Sequence, residues 1–189
     1  MIELKKYGAI DIGSNAIRLL ICNVVLKKKE KPKFKKSALV RVPIRLGADS
    51  FNSGIISEEN YGRMMDAMKA FQLLMKVHGV EKYKACATSA MRNAKNGKKL
   101  IQSIKETSGI DIEIINGTKE AQIIASTDLS EFIEGHKSYL YVDVGGGSTE
   151  FTVFSKGKIT ASQSFKIGTV RLLNKEISNK KIWKEIQAW

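Results

Sequence analysis

The 189-residue sequence predicts an α/β fold, with one complete layered domain on a mixed sheet and the first part of a second domain of the same kind. Three observations carry this expectation. Three strand-like runs joined by short polar turns come first, and strands then alternate with helices. One pattern, a strand ending in aspartate followed by a glycine-rich turn and another strand, occurs twice. A hydrophobic content of 43% with only two prolines suits a packed core and leaves little scope for a disordered linker.

Taken in order, "YGAIDI", "AIRLLICNVVL" and "SALVRVPI" read as strands of an antiparallel meander. The run "KKKEKPKFKK" (Lys27 to Lys36) between the second and third reads as a solvated hairpin tip. "SEENYGRMMDAMKAFQLLMKVHG" reads as a helix, with Ser57 as N-cap and Gly79 just past its end. Tyr61, Met64, Met68, Phe71, Met75 and His78 fall on one stripe of it and read as a core-facing side. Then come a strand "YKACAT", a helix from Gly97 to Ser108, a strand "DIEIIN" and a helix starting near Thr118. The order β-β-β-α-β-α-β-α is that of the ribonuclease H-like fold.

A second series starts at Ser138, with "SYLYVDV", "STEFTVFS" and "KITASQSFKIG" as strands. A helical "TVRLLNKEI" follows, then an amphipathic piece bearing two exposed-looking tryptophans, Trp183 and Trp189. "AIDIGSNAIRLL" and "YVDVGGGSTEFTVF" share one design, an internal duplication with a period of about 130 residues. Residues 1–121 are therefore expected to form the first domain and residues 122–189 the start of an incomplete second one.

Charge and composition narrow the function classes. Thirty-two Lys and Arg against 19 Asp and Glu give a net charge of +13, which favours phosphate-rich substrates, nucleic acid or anionic lipid, or simply keeps the surface soluble. There is no basic surface interleaved with aromatics, so no specific nucleic-acid partner is expected. No apolar run reaches the roughly 18 residues of a membrane helix, and the first residues lack the apolar core of a signal peptide, so a cytoplasmic protein without a membrane partner is expected. Cys22 and Cys86 lack a CxxC spacing and read as small buried hydrophobes. His78 and His136 have no partner at ligand spacing and read as structural or solvated.

The two glycine-rich turns carry the chemistry. A turn without side chains lets several backbone N–H groups point at one anion, and glycine permits φ > 0 there. Gly13, Ser14 and Asn15 form one candidate phosphate loop, and Gly145, Gly146, Gly147 and Ser148 the other. Asp11 and Asp143 would repel phosphate, a conflict that a divalent cation bridging carboxylate and phosphate resolves. Glu150 stands across the second turn from Asp143. Arg92, in "ATSAMRNAKNG", offers a planar fork to phosphate, and Glu120, in "IINGTKEAQII", opens a helix beyond a strand end. Either residue alone also fits a plain structural role, as a surface arginine or a carboxylate favouring a helix dipole.

"AIDIGSNAIRLL", "ATSAMRNAKNG", "IINGTKEAQII", "VDVGGGSTEF" and "SFKIGTVRLL", in this order, resemble the exopolyphosphatase/guanosine pentaphosphate phosphatase (Ppx/GppA) family over nearly the whole chain. The resemblance implies the actin/hexokinase/Hsp70-like superfamily, whose two ribonuclease H-like domains close over a phosphate chain. It implies Glu120 as the base activating water, and Asp143 and Glu150 as ligands of Mg²⁺ or Mn²⁺. It further implies Arg92 as a phosphate contact, Ser14 and Asn15 as the first phosphate loop, and Gly145 to Ser148 as the second. The implied reaction releases orthophosphate from inorganic polyphosphate or guanosine pentaphosphate. Two departures stand out: Lys119 occupies a place where many members carry a second glutamate, and members are longer.

Two other readings compete with hydrolysis. One is an ATP-using kinase of the same superfamily, which shares the two loops but not the "INGTKEA" and "ATSAMRNAKNG" stretches. The other is a non-catalytic fragment that binds polyanions. A domain ending after three strands and a helix leaves a sheet edge and an apolar face uncovered, so self-association into a homodimer is expected.

Overall fold

The computed structural model describes residues 2–125, 136–156, 158–173 and 180–189. The first sheet starts with strands β1 (Ile2–Ile12), β2 (Ile17–Lys27) and β3 (Lys33–Val42), an antiparallel meander as predicted. Helices α1 (Leu46–Asn52) and α2 (Glu58–His78) follow, then β4 (Lys82–Ala87), α3 (Ser89–Asn93), α4 (Gly97–Ser108), β5 (Ile112–Ile114) and α5 (Gly117–Ala125). The strand order is β3-β2-β1-β4-β5, with β4 parallel to β1 and β5 parallel to β4. Such a five-stranded mixed sheet, with its second strand antiparallel to its neighbours, is the ribonuclease H-like topology that the element order predicts.

Alternation along β1 and β2 explains the layering. Ile10, Ile12, Ile17, Leu19 and Ile21 point to one side and are buried beneath α2 and α4, with Met64, Met68, Phe71, Met75, Leu100 and Ile104. The methionine stripe of α2 is thus core, as its spacing predicts. Ser57 caps α2 by accepting a hydrogen bond from Asn60 N at 3.3 Å, and Gly79 ends it in the left-handed conformation at φ 69°.

Four local expectations are corrected. The lysine run is only partly a turn, because Lys33, Lys35 and Lys36 pair with β2 and lengthen the hairpin. Helix α1 was not foreseen; its seven residues are too few for a periodic signal, and burial of Leu46 and Phe51 holds it in place. The turn expected to carry Arg92 is the short helix α3. Cys22 and Cys86 are half-buried rather than buried, since both lie on the sheet face away from α2.

The second sheet consists of β6 (Ser138–Val144), β7 (Thr149–Ser155) and β8 (Lys158–Phe165), all antiparallel in the order β6-β7-β8. Helices α6 (Thr169–Leu173) and α7 (Lys180–Ala188) follow, and the rest of the helical stretch expected after Leu173, up to Ile177, lies outside the described residues. Helix α5 runs across residue 121 and packs on β7 and β8, while α6 packs on α1, so the two sheets share a boundary lined by helices. Trp183 and Trp189 are half-exposed, and the Trp189 ring sits 6.1 and 6.2 Å from the Phe151 and Phe165 centroids. No helix among the described residues is long and apolar enough to cross a membrane.

Candidate active site

Both glycine-rich turns lie at the boundary between the sheets, and each is pinned by backbone hydrogen bonds. The first, between β1 and β2, closes with Gly13 N donating to Ala16 O at 3.1 Å. It is tied to the start of α1 by Arg45 N donating to Asn15 O at 2.9 Å and Gly47 N to Ser14 O at 2.7 Å. The second, between β6 and β7, closes with Gly145 N donating to Ser148 O at 2.9 Å. The first turn of α6 anchors it, with Thr169 N donating to Gly145 O at 3.0 Å and Val170 N to Gly146 O at 2.9 Å. Arg171 completes the anchor: its Nε donates to Gly147 O at 2.7 Å while its guanidinium lies 3.8 Å from the Phe51 ring centroid.

The reason for glycine here differs from the expectation. Among the described residues the positive-φ glycines are Gly54, Gly79 and Gly109, none of them in these turns. Close approach is what the site requires. A Cβ on Gly147 would stand 2.3 Å from Ser89 Oγ and 2.4 Å from Phe51 Cζ, and one on Gly146 would stand 3.0 Å from Ser14 Cβ. The two glycine-rich loops therefore touch each other, and a side chain at Gly146 or Gly147 would force them apart.

Around this contact the carboxylates gather. Asp11 near the end of β1 and Asp143 near the end of β6 line one cleft of about 250 Å³ together with Ser14, Asn15, Glu120 and Gly145 to Ser148. Asp143 and Glu150 are directly opposite in the β6–β7 ladder, which puts both side chains on one face of the sheet. Glu150 does not line the cleft; it is 2% exposed and its Oε1 accepts a hydrogen bond from Ser164 Oγ at 2.7 Å. Asp11 is held 3.1 Å from Arg18. Burial, and to a lesser degree Asp143, push its carboxyl above the usual range against the pull of that arginine.

Glu120 occupies the first turn of α5, where Asn116 caps the helix by accepting from Lys119 N at 2.8 Å. Its Oε2 is buried without a hydrogen-bond partner among the described residues. Burial first, then the charge of Glu150, pushes its pKa up to about 7, with Arg92 opposing and Asp11 and Asp143 adding smaller upward contributions. Lys119 points away from it and pairs, with Lys84, to Glu113, whose carboxyl these two lysines pull down to about 2. Arg92 Nη1 donates to Ile115 O at 2.5 Å, which aims the guanidinium along the β5–α5 junction. It lines a second cavity, also of about 250 Å³, that adjoins the first through Ser89, Gly147 and Ser148.

Every candidate named from the sequence thus reaches this boundary: Ser14, Asn15, Glu120, Asp143 and the second loop in one cleft, Arg92 in the next, and Glu150 beneath. Among the described residues no three Asp, Glu, His or Cys side chains are close enough to enclose a metal by themselves. Asp11, Asp143, Ser14 and Ser148 offer oxygen donors in the cleft, the ligand type that hard divalent cations take. Sequence reasoning missed Ser89, whose Oγ is 2.9 Å from Ser14 Oγ, and Ser164, which holds Glu150. Both occur inside the recognisable stretches "ATSAMRNAKNG" and "SFKIGTVRLL", but a lone serine has no spacing to betray its partner.

The model of the Ppx/GppA phosphatase family matches residues 24–188. The chain belongs to the Ppx/GppA phosphatase family. It is 31% identical over 176 residues to Exopolyphosphatase 2 of Mycobacterium tuberculosis, covering 89% of this chain and 54% of that one. It is 35% identical over 180 residues to a bifunctional 3-dehydroquinate synthase/phosphatase of Fusobacterium nucleatum, covering 93% of this chain and 27% of the relative. Among solved structures, an exopolyphosphatase from Cytophaga hutchinsonii superposes with a TM-score of 0.77 at 32% identity, over 90% of this chain and 53% of that one. The Aquifex aeolicus Ppx/GppA family member superposes with a TM-score of 0.76 at 25% identity, over 97% and 59% of the two chains. This Ppx/GppA chain spans 54% of the length of the mycobacterial relative and 27% of the bifunctional one.

Proposed function

We propose that the chain carries the phosphate-binding and water-activating half of a metal-dependent phosphoanhydride hydrolase that acts on inorganic polyphosphate or guanosine pentaphosphate. The observation behind this reading is Glu120 Oε2: a buried carboxylate oxygen without a partner, facing a cleft whose floor is two touching glycine loops.

In this reading the backbone N–H groups of the two loops, with the hydroxyls of Ser14 and Ser148 and the amide of Asn15, hold the terminal phosphates. Glu120 accepts a proton from a water that attacks the terminal phosphorus. A water O–P bond forms, the bridging P–O bond breaks, and its electron pair leaves with the shortened chain. Arg92, in the adjoining cavity, offers its cation to the phosphate chain next to the group being transferred. Asp143 would hold the divalent cation at the cleft, which when bound neutralises phosphate charge there, while Glu150, expected as a second ligand, lies buried behind Ser164 and would act on it only from beneath. Guanosine pentaphosphate enters on the family likeness alone; polyphosphate is also supported by likeness to the mycobacterial and Cytophaga exopolyphosphatases.

Self-association belongs to the same proposal. Among the described residues β6 pairs on one edge only, and its Leu140, Val142 and Val144 are exposed. The deciding measurement is orthophosphate release from long-chain polyphosphate by the 189-residue chain, with Mg²⁺ or with chelator. We expect release with Mg²⁺ alone. Absence of release in both conditions, with binding retained, would sink the hydrolase and favour a polyanion-binding module.

A further inference from the structure

The two adjoining cavities differ sharply in charge. Asp11, Glu120 and Asp143 line the first, where Arg18 is the cation. Arg92, Lys166 and Arg171 line the second, and among the described residues no carboxylate does. The rest of its wall is neutral: Ser89, Asn93, Thr118, Ser148 and Gln163 with Gly117 and Gly147, and Ser164, whose hydroxyl is committed to Glu150 behind the wall. Gly117 and Thr118, which line this space, are the first two residues of α5, a nine-residue helix whose N-terminal end carries partial positive charge.

The three cations are not equivalent. Arg171 is engaged in holding Gly147 O and stacking on Phe51, and Arg92 is tied to Ile115 O. Lys166, in the link between β8 and α6, is exposed and makes no ion pair among the described residues. A flexible ammonium on the rim of a cavity without carboxylates gains by meeting an anion there, whereas the first cleft needs a cation before it accepts one.

We propose that the second cavity is a metal-independent seat for the phosphate group next to the one held at the glycine loops, with Lys166 as the residue that sets its affinity. The proposal rests on the phosphate-cleft reading above and deepens it. The ligand class is a phosphoanhydride chain, free or carried by a nucleoside. Because the cavities share Gly147 and Ser148, one chain can occupy both, with its metal-requiring part at Asp143 and its metal-free part at Lys166.

The test is calorimetric titration of the 189-residue chain with tripolyphosphate in the presence of EDTA, and with GTP in parallel. Lys166→Gln is compared with Lys33→Gln, an equal change of charge on the exposed hairpin. We expect Lys166→Gln to weaken both ligands about tenfold, the size of one charge-assisted contact, and Lys33→Gln to leave them within twofold. Equal weakening by the two variants would mean that only the overall field is felt, and would overturn the proposal. Loss confined to GTP would assign Lys166 to the nucleoside and would also overturn it. Chelator-resistant, Lys166-dependent binding without any polyphosphate hydrolysis would leave this seat intact and sink the catalytic reading. Normal hydrolysis with unchanged KM in Lys166→Gln would do the reverse.

Discussion

Glu120→Gln is expected to lower phosphate release from polyphosphate by about 10²–10⁴-fold, the usual contribution of a positioned general base, while leaving tripolyphosphate binding unchanged. The same variant should be more stable than the parent at high pH. The Glu120 carboxyl is pushed from its ordinary range up to about 7, mainly by burial and then by Glu150. A carboxylate raised above its unfolded value opposes folding once it ionises. That penalty is absent below about pH 4.5, grows through the window up to 7, and is complete above it. Glutamine removes it, so chemical denaturation should find Glu120→Gln about 1–2 kcal/mol more stable at pH 8 and equal to the parent at pH 4, allowing for screening of a half-buried group. The parent's rate should rise with pH along a limb at or below pH 7, since the base works only when ionised and a bound cation lowers its pKa. Flat activity from pH 5 to 8, or full activity in Glu120→Gln, would remove Glu120 from the role of base.

Gly168→Ala should be the most damaging small substitution in the second sheet's loops. An added Cβ would stand 2.5 Å from both the carbonyl carbon and oxygen of Gly146 and 2.6 Å from Gly147 N, all of them backbone atoms that no rotamer change can move aside. Relief requires α6 to lift from the second glycine-rich loop, which breaks the bonds from Thr169 N and Val170 N that hold Gly145 O and Gly146 O. We expect a loss of about 2–3 kcal/mol in urea denaturation, the upper end of overpacking costs, together with weakened tripolyphosphate binding. Gly62→Ala is the matched control. Gly62 is exposed in α2 with nothing within 4 Å of an added Cβ, and the change should stabilise by about 0.5–1 kcal/mol. Equal effects of the two substitutions would show that close packing at Gly146 is not what anchors the loop.

Much of this was legible in the residues themselves, because the features concerned are local. The methionine stripe and the Ser57 and Gly79 ends of α2 follow from helical period and capping. The boundaries of α4 and β6 follow from punctuation by Asn96, Gly109 and the three glycines. Glu120, Arg92 and the two loops sit just beyond strand ends and Asp143 near the end of β6, where an α/β sheet presents its ligand edge, but the roles expected of them came from the family resemblance.

Only the tertiary structure decided how those local pieces meet. It showed that Gly146 and Gly147 are glycine for close approach to Ser14, Ser89 and Phe51 and not for left-handed backbone, a distinction set by neighbours distant in sequence. It buried Glu150 behind Ser164 while leaving Asp143 in the cleft, although the two are paired residues of one ladder. It placed Lys166 and Arg92 on one cavity across a gap of 74 positions, and it turned Lys119 toward Glu113 and away from its neighbour Glu120. Hydrophobic period and turn chemistry act over a few residues and can be read along the chain. Charge, burial and steric contact depend on distance in space, which the fold alone assigns.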